Sequence, residues 1–162
     1  MKKNWLLLLF IFFVSLLEAT VFSHLMLFRT KPDLLLAMVV IMAITLKPNQ
    51  ALLFSLASGI FKYMFGAGVF GIYILLFPLW CFLIIKLSRK ISLDNDIAGI
   101  VLIFFVDILQ NIFIRLGLLF AGIYITWYVF LKIIFLEAVY TTVMSPFILK
   151  SYKFFKLHIK YK

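Results

Sequence analysis

The sequence predicts an all-α integral membrane protein, a bundle of six transmembrane helices, and three observations lead there. Of the 162 residues 66% are hydrophobic and 14% are charged, against about 45–50% and about 25% in soluble domains. A mean hydropathy of +1.19 means more Leu, Ile and Phe than a soluble fold of this size can bury. The apolar residues also fall into runs separated by short polar breaks, as membrane helices require. A soluble domain, a disordered chain and a disulfide-rich secreted fold are excluded. Cys81 is the only cysteine. It lies in an apolar run with no metal-ligand spacing around it and reads as a small packing residue.

The first run, Trp5 to Phe22, follows Lys2 and Lys3. It is long enough to span, and Leu17-Glu18-Ala19 is a poor signal-cleavage site, so it reads as a membrane helix rather than a signal peptide. Pro32-Asp33 opens the second run, Leu34 to Leu46. Pro32 suits a first helical position, because its missing N–H would lack a partner there. The Asp33 carboxylate favours the positive end of the helix dipole. Lys47-Pro48-Asn49-Gln50 is a break and turn, and the third run goes from Ala51 to Phe65 before Gly66-Ala67-Gly68 interrupts it. At about 1.5 Å per residue, runs two and three reach only about 20 Å of a core about 30 Å thick. Either they extend into their flanks or they form a partly inserted hairpin packed among the others.

The fourth run, Val69 to Leu87, has full span length and contains Pro78, a candidate kink. Ser88 to Asp96 is an external loop. The fifth run goes from Ile97 to about Gly117, and the sixth from beyond Gly122 to Leu149, with a bend expected at Ser145-Pro146. Residues 1–149 thus read as a single transmembrane bundle, and 150–162 as a basic aromatic cytoplasmic tail.

The net charge of +10 is best explained by topology. With the N-terminus inside, 11 of the 16 basic residues fall on the cytoplasmic side, as the positive-inside rule asks. Six spans with both termini cytoplasmic satisfy that rule. Five spans would put the tail lysines outside. The lysine-aromatic tail suits anionic lipid, and no nucleic-acid partner is expected.

Ionisable groups within a span cost about 2.5–3.5 kcal/mol each on insertion scales, so they are functional candidates by default. They are Glu18, Lys62, Asp107, Lys132 and Glu137. Three polar stripes carry most of them. Asp107, Gln110, Asn111 and Arg115 share one face of helix five. Glu137, Thr141 and Ser145 share one face of helix six. Ser55, Gly59, Lys62 and Gly66 make a small-residue face on helix three that permits close helix contact. Glu18, Asp107 and Glu137 are natural partners for Lys62 and Lys132. Such stripes ordinarily hold helices together. His24 and His158 lie on opposite sides of the membrane in this topology. No Ser-His pair, metal-ligand cluster or phosphate loop is present, so neither an enzyme nor a cofactor is expected.

The order of these features resembles the rod shape-determining MreD family of bacterial inner-membrane proteins. Glu18 sits alone late in the first helix. Lys31-Pro32-Asp33-Leu34-Leu35-Leu36 opens the second, similar to the family's Arg-Pro-Asp-Leu-Leu-Leu. Glycines at Gly59 and Gly66 lead to Gly71-Ile72-Tyr73 and a basic end at Ser88-Arg89-Lys90. Glu137-Ala138-Val139-Tyr140 precedes Ser145-Pro146. One departure stands out. Where the family has an acidic residue after the glycine of helix three, this chain has Lys62, which reverses a buried charge.

The resemblance implies a non-enzymatic scaffold of the wall-elongation machinery in the bacterial inner membrane, acting in rod-shape determination. Its partners would be a bitopic MreC-like protein, an MreB-like filament and the wall-elongation synthases. A groove with Gly59 and Gly66 would admit the partner helix. The family's fold is also similar to the substrate-binding subunits of energy-coupling-factor transporters. That makes a small-molecule binding subunit, lined by Asp107, Asn111 and Glu137, the alternative.

Overall fold

Six helices follow the order of the apolar runs: α1 (Lys2–His24), α2 (Leu34–Thr45), α3 (Pro48–Phe65), α4 (Ile72–Ser88), α5 (Asp96–Phe120) and α6 (Trp127–Lys160). The computed structural model describes residues 2–24, 30–65, 71–89, 96–120, 122–123 and 126–160. The expected turn at Gly66-Ala67-Gly68 and most of the expected loop from Ser88 to Asp96 lie outside them. Helices α1, α5 and α6 are each long and apolar enough to cross a membrane, while α2 and α4 are shorter apolar helices.

The short second run does not lengthen into its flanks. α2 has 12 residues, about 18 Å at the helical rise, and both ends are stopped by chemistry. Asp33 caps the start, its carboxylate accepting from Leu36 N at 2.8 Å. At the other end Leu46 is extended (φ −104°, ψ 165°), and the pair Lys47-Pro48 disfavours helix at the residue before proline. Pro48 then begins α3, where its missing N–H costs nothing. The expectation for Pro32 is corrected. It stands one residue before the cap instead of opening the helix.

α2 is apolar all round, and every residue from Leu34 to Ala43 is buried. A helix without a polar face belongs inside a bundle, and α2 touches all five other helices. Around it pack Leu7, Ile11 and Val14 of α1, Phe54 of α3, Phe77 and Cys81 of α4, and Ile103 of α5. The outward faces of the long helices remain apolar, as at Phe13, Phe105 and Phe135, the surface a lipid solvent requires.

Glycine is needed where α3 meets α4. A Cβ on Gly59 would lie 2.6 Å from the Tyr73 carbonyl oxygen and 2.9 Å from Ile74 Cα, both backbone atoms. α5 ends in a left-handed Gly122 (φ 77°). Gly122 N donates to Leu119 O and Ile123 N to Leu118 O, each at 3.0 Å, the paired bonds that close a helix C-terminus.

α6 does not stop at Leu149. It runs through Pro146 to Lys160. Proline leaves the carbonyl four residues back without its donor, here that of Thr142. The Ser145 hydroxyl donates to that oxygen at 2.7 Å, so the helix continues. Beyond it, Tyr152 is 1% exposed and its hydroxyl lies 3.1 Å from Thr45 Oγ1 at the end of α2. Phe155 stacks on Phe10 of α1, centroids 4.7 Å apart. Part of the segment read as a tail is therefore packed against the bundle.

Candidate functional site

The start of α2 lies inside the protein, and that position creates the site. A helix N-terminus exposes N–H groups with no intrahelical partner, and within a membrane bundle water does not satisfy them. Leu35 N donates to Glu18 Oε2 of α1 at 3.0 Å. Leu36 N donates to Asp33 Oδ1, and Asp33 N donates to Thr141 Oγ1 of α6 at 2.9 Å. Asp33 Oδ2 accepts from Gln110 Nε2 of α5 at 2.8 Å. Three other helices, with the Asp33 cap, thus supply the polar groups that let α2 begin in the interior.

Lys62 of α3 completes the arrangement. Its ammonium pairs with Glu18 and lies 2.9 Å from Asp33 Oδ1. It also lies 5.3 Å from the centre of the Tyr73 ring at the start of α4. Lys62, Glu18 and Asp33 are 7%, 3% and 2% exposed. The positive end of the α2 dipole adds to Lys62 in holding these carboxylates. Where Lys62 departs from the family pattern, the reversed charge is met by two carboxylates.

The helix faces expected from spacing come together here, with changes of detail. Glu18 does pair with Lys62. Asp33, a candidate polar site at the helix end but not an expected partner of Lys62, is the lysine's second partner, a pairing that reading along the chain missed. The signal was there, since a carboxylate in an apolar setting needs a cation. Asp107 and Glu137, expected as lysine partners, gather with Asp33 instead. One oxygen from each of the three lies within 4.8 Å of the others. Thr141 also lies beside Asp107. Pro32 is buried beside the cap.

Three candidates sit elsewhere. Asn111 is half-buried and donates to its own helix at Asp107 O, 3.1 Å, so it does not join Asp107 and Glu137. Gly59 faces α4 of the same chain, so the close approach it permits is internal, not to a partner helix. Gly66 lies outside the described residues. Of the other basic residues, Lys132 is exposed on α6. Arg115 leaves its expected stripe. Its guanidinium lies 4.0 Å from the ring centres of both Trp127 and Phe130, a cation–π clamp between α5 and α6.

A helical bundle with apolar outer faces, knit by a buried network of carboxylates, a lysine and amides, defines a polytopic membrane protein. Its ionic groups first serve its own assembly. The family comparison makes this particular. Residues 1–155 match the family model for rod shape-determining protein MreD, essentially the whole chain, and the protein belongs to that family. Its role is accordingly in the determination of rod shape, as a membrane protein of the cell-shape machinery. No curated protein and no solved structure matches the chain.

Proposed function

We propose that this protein is a non-enzymatic scaffold of the wall-elongation machinery. It sits in the bacterial inner membrane with both termini in the cytoplasm. The observation that carries this reading is the family match over residues 1–155. The structure adds a supporting argument. Glu18, Asp33 and Lys62 satisfy one another and the start of α2, which leaves lipid-facing apolar helix faces as the surface on which partners can dock. Membrane helices associate through close packing and a few polar bonds, because lipid tails are as apolar as leucine.

The partners are a bitopic MreC-like protein, an MreB-like filament and the wall-elongation synthases. At the α6 end Lys150 faces anionic lipid at the inner leaflet, while Lys153 pairs with Asp96 of α5. The positive-inside count supports this orientation, and it puts the start of α2 toward the outer half of the membrane.

The test is purification of the tagged protein from its native membrane in a gentle detergent, with mass spectrometry of the proteins and small molecules retained. Recovery of a single-helix periplasmic partner together with elongation enzymes is the expected result. Recovery of a stoichiometric small ligand, with no such partner, overturns the scaffold in favour of a transport subunit.

A further inference from the structure

Among the described residues, the carboxylates around the start of α2 outnumber the cations that meet them. Four of the six acidic residues, Glu18, Asp33, Asp107 and Glu137, act on one another there, and Lys62 is the lysine paired within the group. Glu18 and Asp33 are satisfied by Lys62, the amides of Leu35 and Leu36, and Gln110. Asp107 is not. It is wholly buried, and neither carboxylate oxygen has a hydrogen bond of normal geometry. The groups facing it are Glu137 and Asp33, both acidic, with Lys62 beyond and the Thr141 hydroxyl beside it.

A second observation comes from Gln110, one turn further along α5. It is 1% exposed. Its amide nitrogen is committed to Asp33, which holds the carboxamide against the cluster, and its Oε1 has no partner. A buried carboxylate and a buried amide oxygen without donors, beside two more carboxylates, form a set of oxygen acceptors that needs a positive charge.

We propose that Asp33, Asp107 and Glu137, with Gln110 Oε1, bind one divalent hard cation of the calcium type. All the donors are oxygen, which suits calcium or magnesium and not the softer metals. Ligands on opposite sides of calcium stand about 4.6–5.2 Å apart, and the three carboxylates, within 4.8 Å of one another, fit inside that span. Calcium's tolerance of irregular oxygen cages suits donors held by α2, α5 and α6 better than the strict octahedron of magnesium. Charge favours a divalent ion over sodium, since among the described residues four carboxylates gather where Lys62 is paired, with Lys31 acting on Glu137. Glu137, half-buried, is the residue through which an ion enters. Such an ion ties α5 and α6 to the start of α2.

The experiment uses the full-length protein in detergent, stripped with a chelator and then titrated with calcium, magnesium or sodium chloride. Bound calcium is counted by elemental analysis, and unfolding is followed by tryptophan fluorescence. One calcium per chain and a saturable rise in Tm of about 5–10 °C at a hundred times Kd are expected. Magnesium gives a smaller rise, and sodium at equal ionic strength gives none. Asp107→Asn abolishes the response, and Asp96→Asn, in an exposed pair outside the cluster, keeps it. Should Asp107→Asn fail to fold, Glu137→Gln serves in its place. The proposal is overturned by a wild type that holds no calcium, including one whose Tm rises on acidification alone, as carboxyls sharing protons would cause. It is equally overturned by a calcium response that persists in Asp107→Asn or Glu137→Gln.

Discussion

Replacing Lys62 with methionine removes the ammonium that, among the described residues, pairs with Glu18 and Asp33, while keeping the length of the side chain. At 2.9 Å from Asp33, and at an effective dielectric of about 20, the attraction to that one carboxylate is about 6 kcal/mol. Against it stands the several kcal/mol of desolvating each ion. Deleting one partner recovers only the lysine's share of that desolvation and strands two carboxylates that are 3% and 2% exposed. Breaking a buried pair in this way costs about 3–5 kcal/mol. The amides of Leu35 and Leu36 still hold the carboxylates, so the lower half of that range is expected. At about 2–4 °C per kcal/mol for a chain of this size, Tm in detergent falls by about 6–16 °C. Lys132→Met, at an exposed position, changes stability by less than about 1 kcal/mol. A double variant, Lys62→Met with Glu18→Gln, separates charge from packing. Glutamine still accepts from Leu35 N but leaves no charge, so the double variant is more stable than the sum of the single effects requires. Equal small effects for Lys62 and Lys132, or strict additivity in the double variant, would refute the argument that a buried ion pair closes the start of α2.

The remaining predictions use the same thermal assay. Gly59→Ala forces a methyl group against the backbone of Tyr73 and costs about 1–3 kcal/mol as overpacking. Gly99→Ala meets only Ile44 Cδ1 at 3.7 Å and is neutral or gains up to about 1 kcal/mol of helix propensity. If both alanines behave alike, α3 and α4 do not approach as described. Asp33→Asn keeps an oxygen for the Leu36 amide, whereas Asp33→Ala loses it too. The alanine variant should therefore be the less stable of the two by about 1 kcal/mol. Tyr152→Phe loses the contact with Thr45 at about 0.5–1.5 kcal/mol. Ending the chain after Leu149 costs more, because it also removes the Phe155 ring from Phe10. A truncation without effect would mean that the end of α6 contributes nothing to the bundle.

The carboxylate network shows how far sequence reading reaches. Spacing alone placed Asp107 with Gln110, Glu137 with Thr141, and Ser55 with Gly59 and Lys62 on common faces, and in each set those residues turn inward except for half-buried Glu137. That Lys62 would seek a carboxylate followed from the cost of a lone charge in lipid. Its second partner did not follow. Asp33 satisfies the local rule for a helix cap completely, and nothing in the neighbouring residues reports that a lysine 29 positions away arrives beside it. Asn111 shows the converse. Periodicity put it on the polar face, but a side chain four residues on from a carbonyl can satisfy itself locally, and it does.

Helix number and order, the membrane as solvent and a carboxylate at the start of α2 were all determined by the sequence itself. Each depends on composition, run length or residues within one turn of each other. Only the tertiary structure decided that α2 is the central helix, that α6 passes Pro146 and packs its end against α1 and α2, and that Asp33, Asp107 and Glu137 share one space. The physical reason is the same in each case. Hydrophobic periodicity says which face of a helix is buried, but burial has no direction, and apolar faces are interchangeable to within small packing differences. The partner of a given face is chosen by contacts such as Gln110 to Asp33 and Asp33 to Thr141, whose members lie 77 and 108 positions apart and which exist only once the chain has folded.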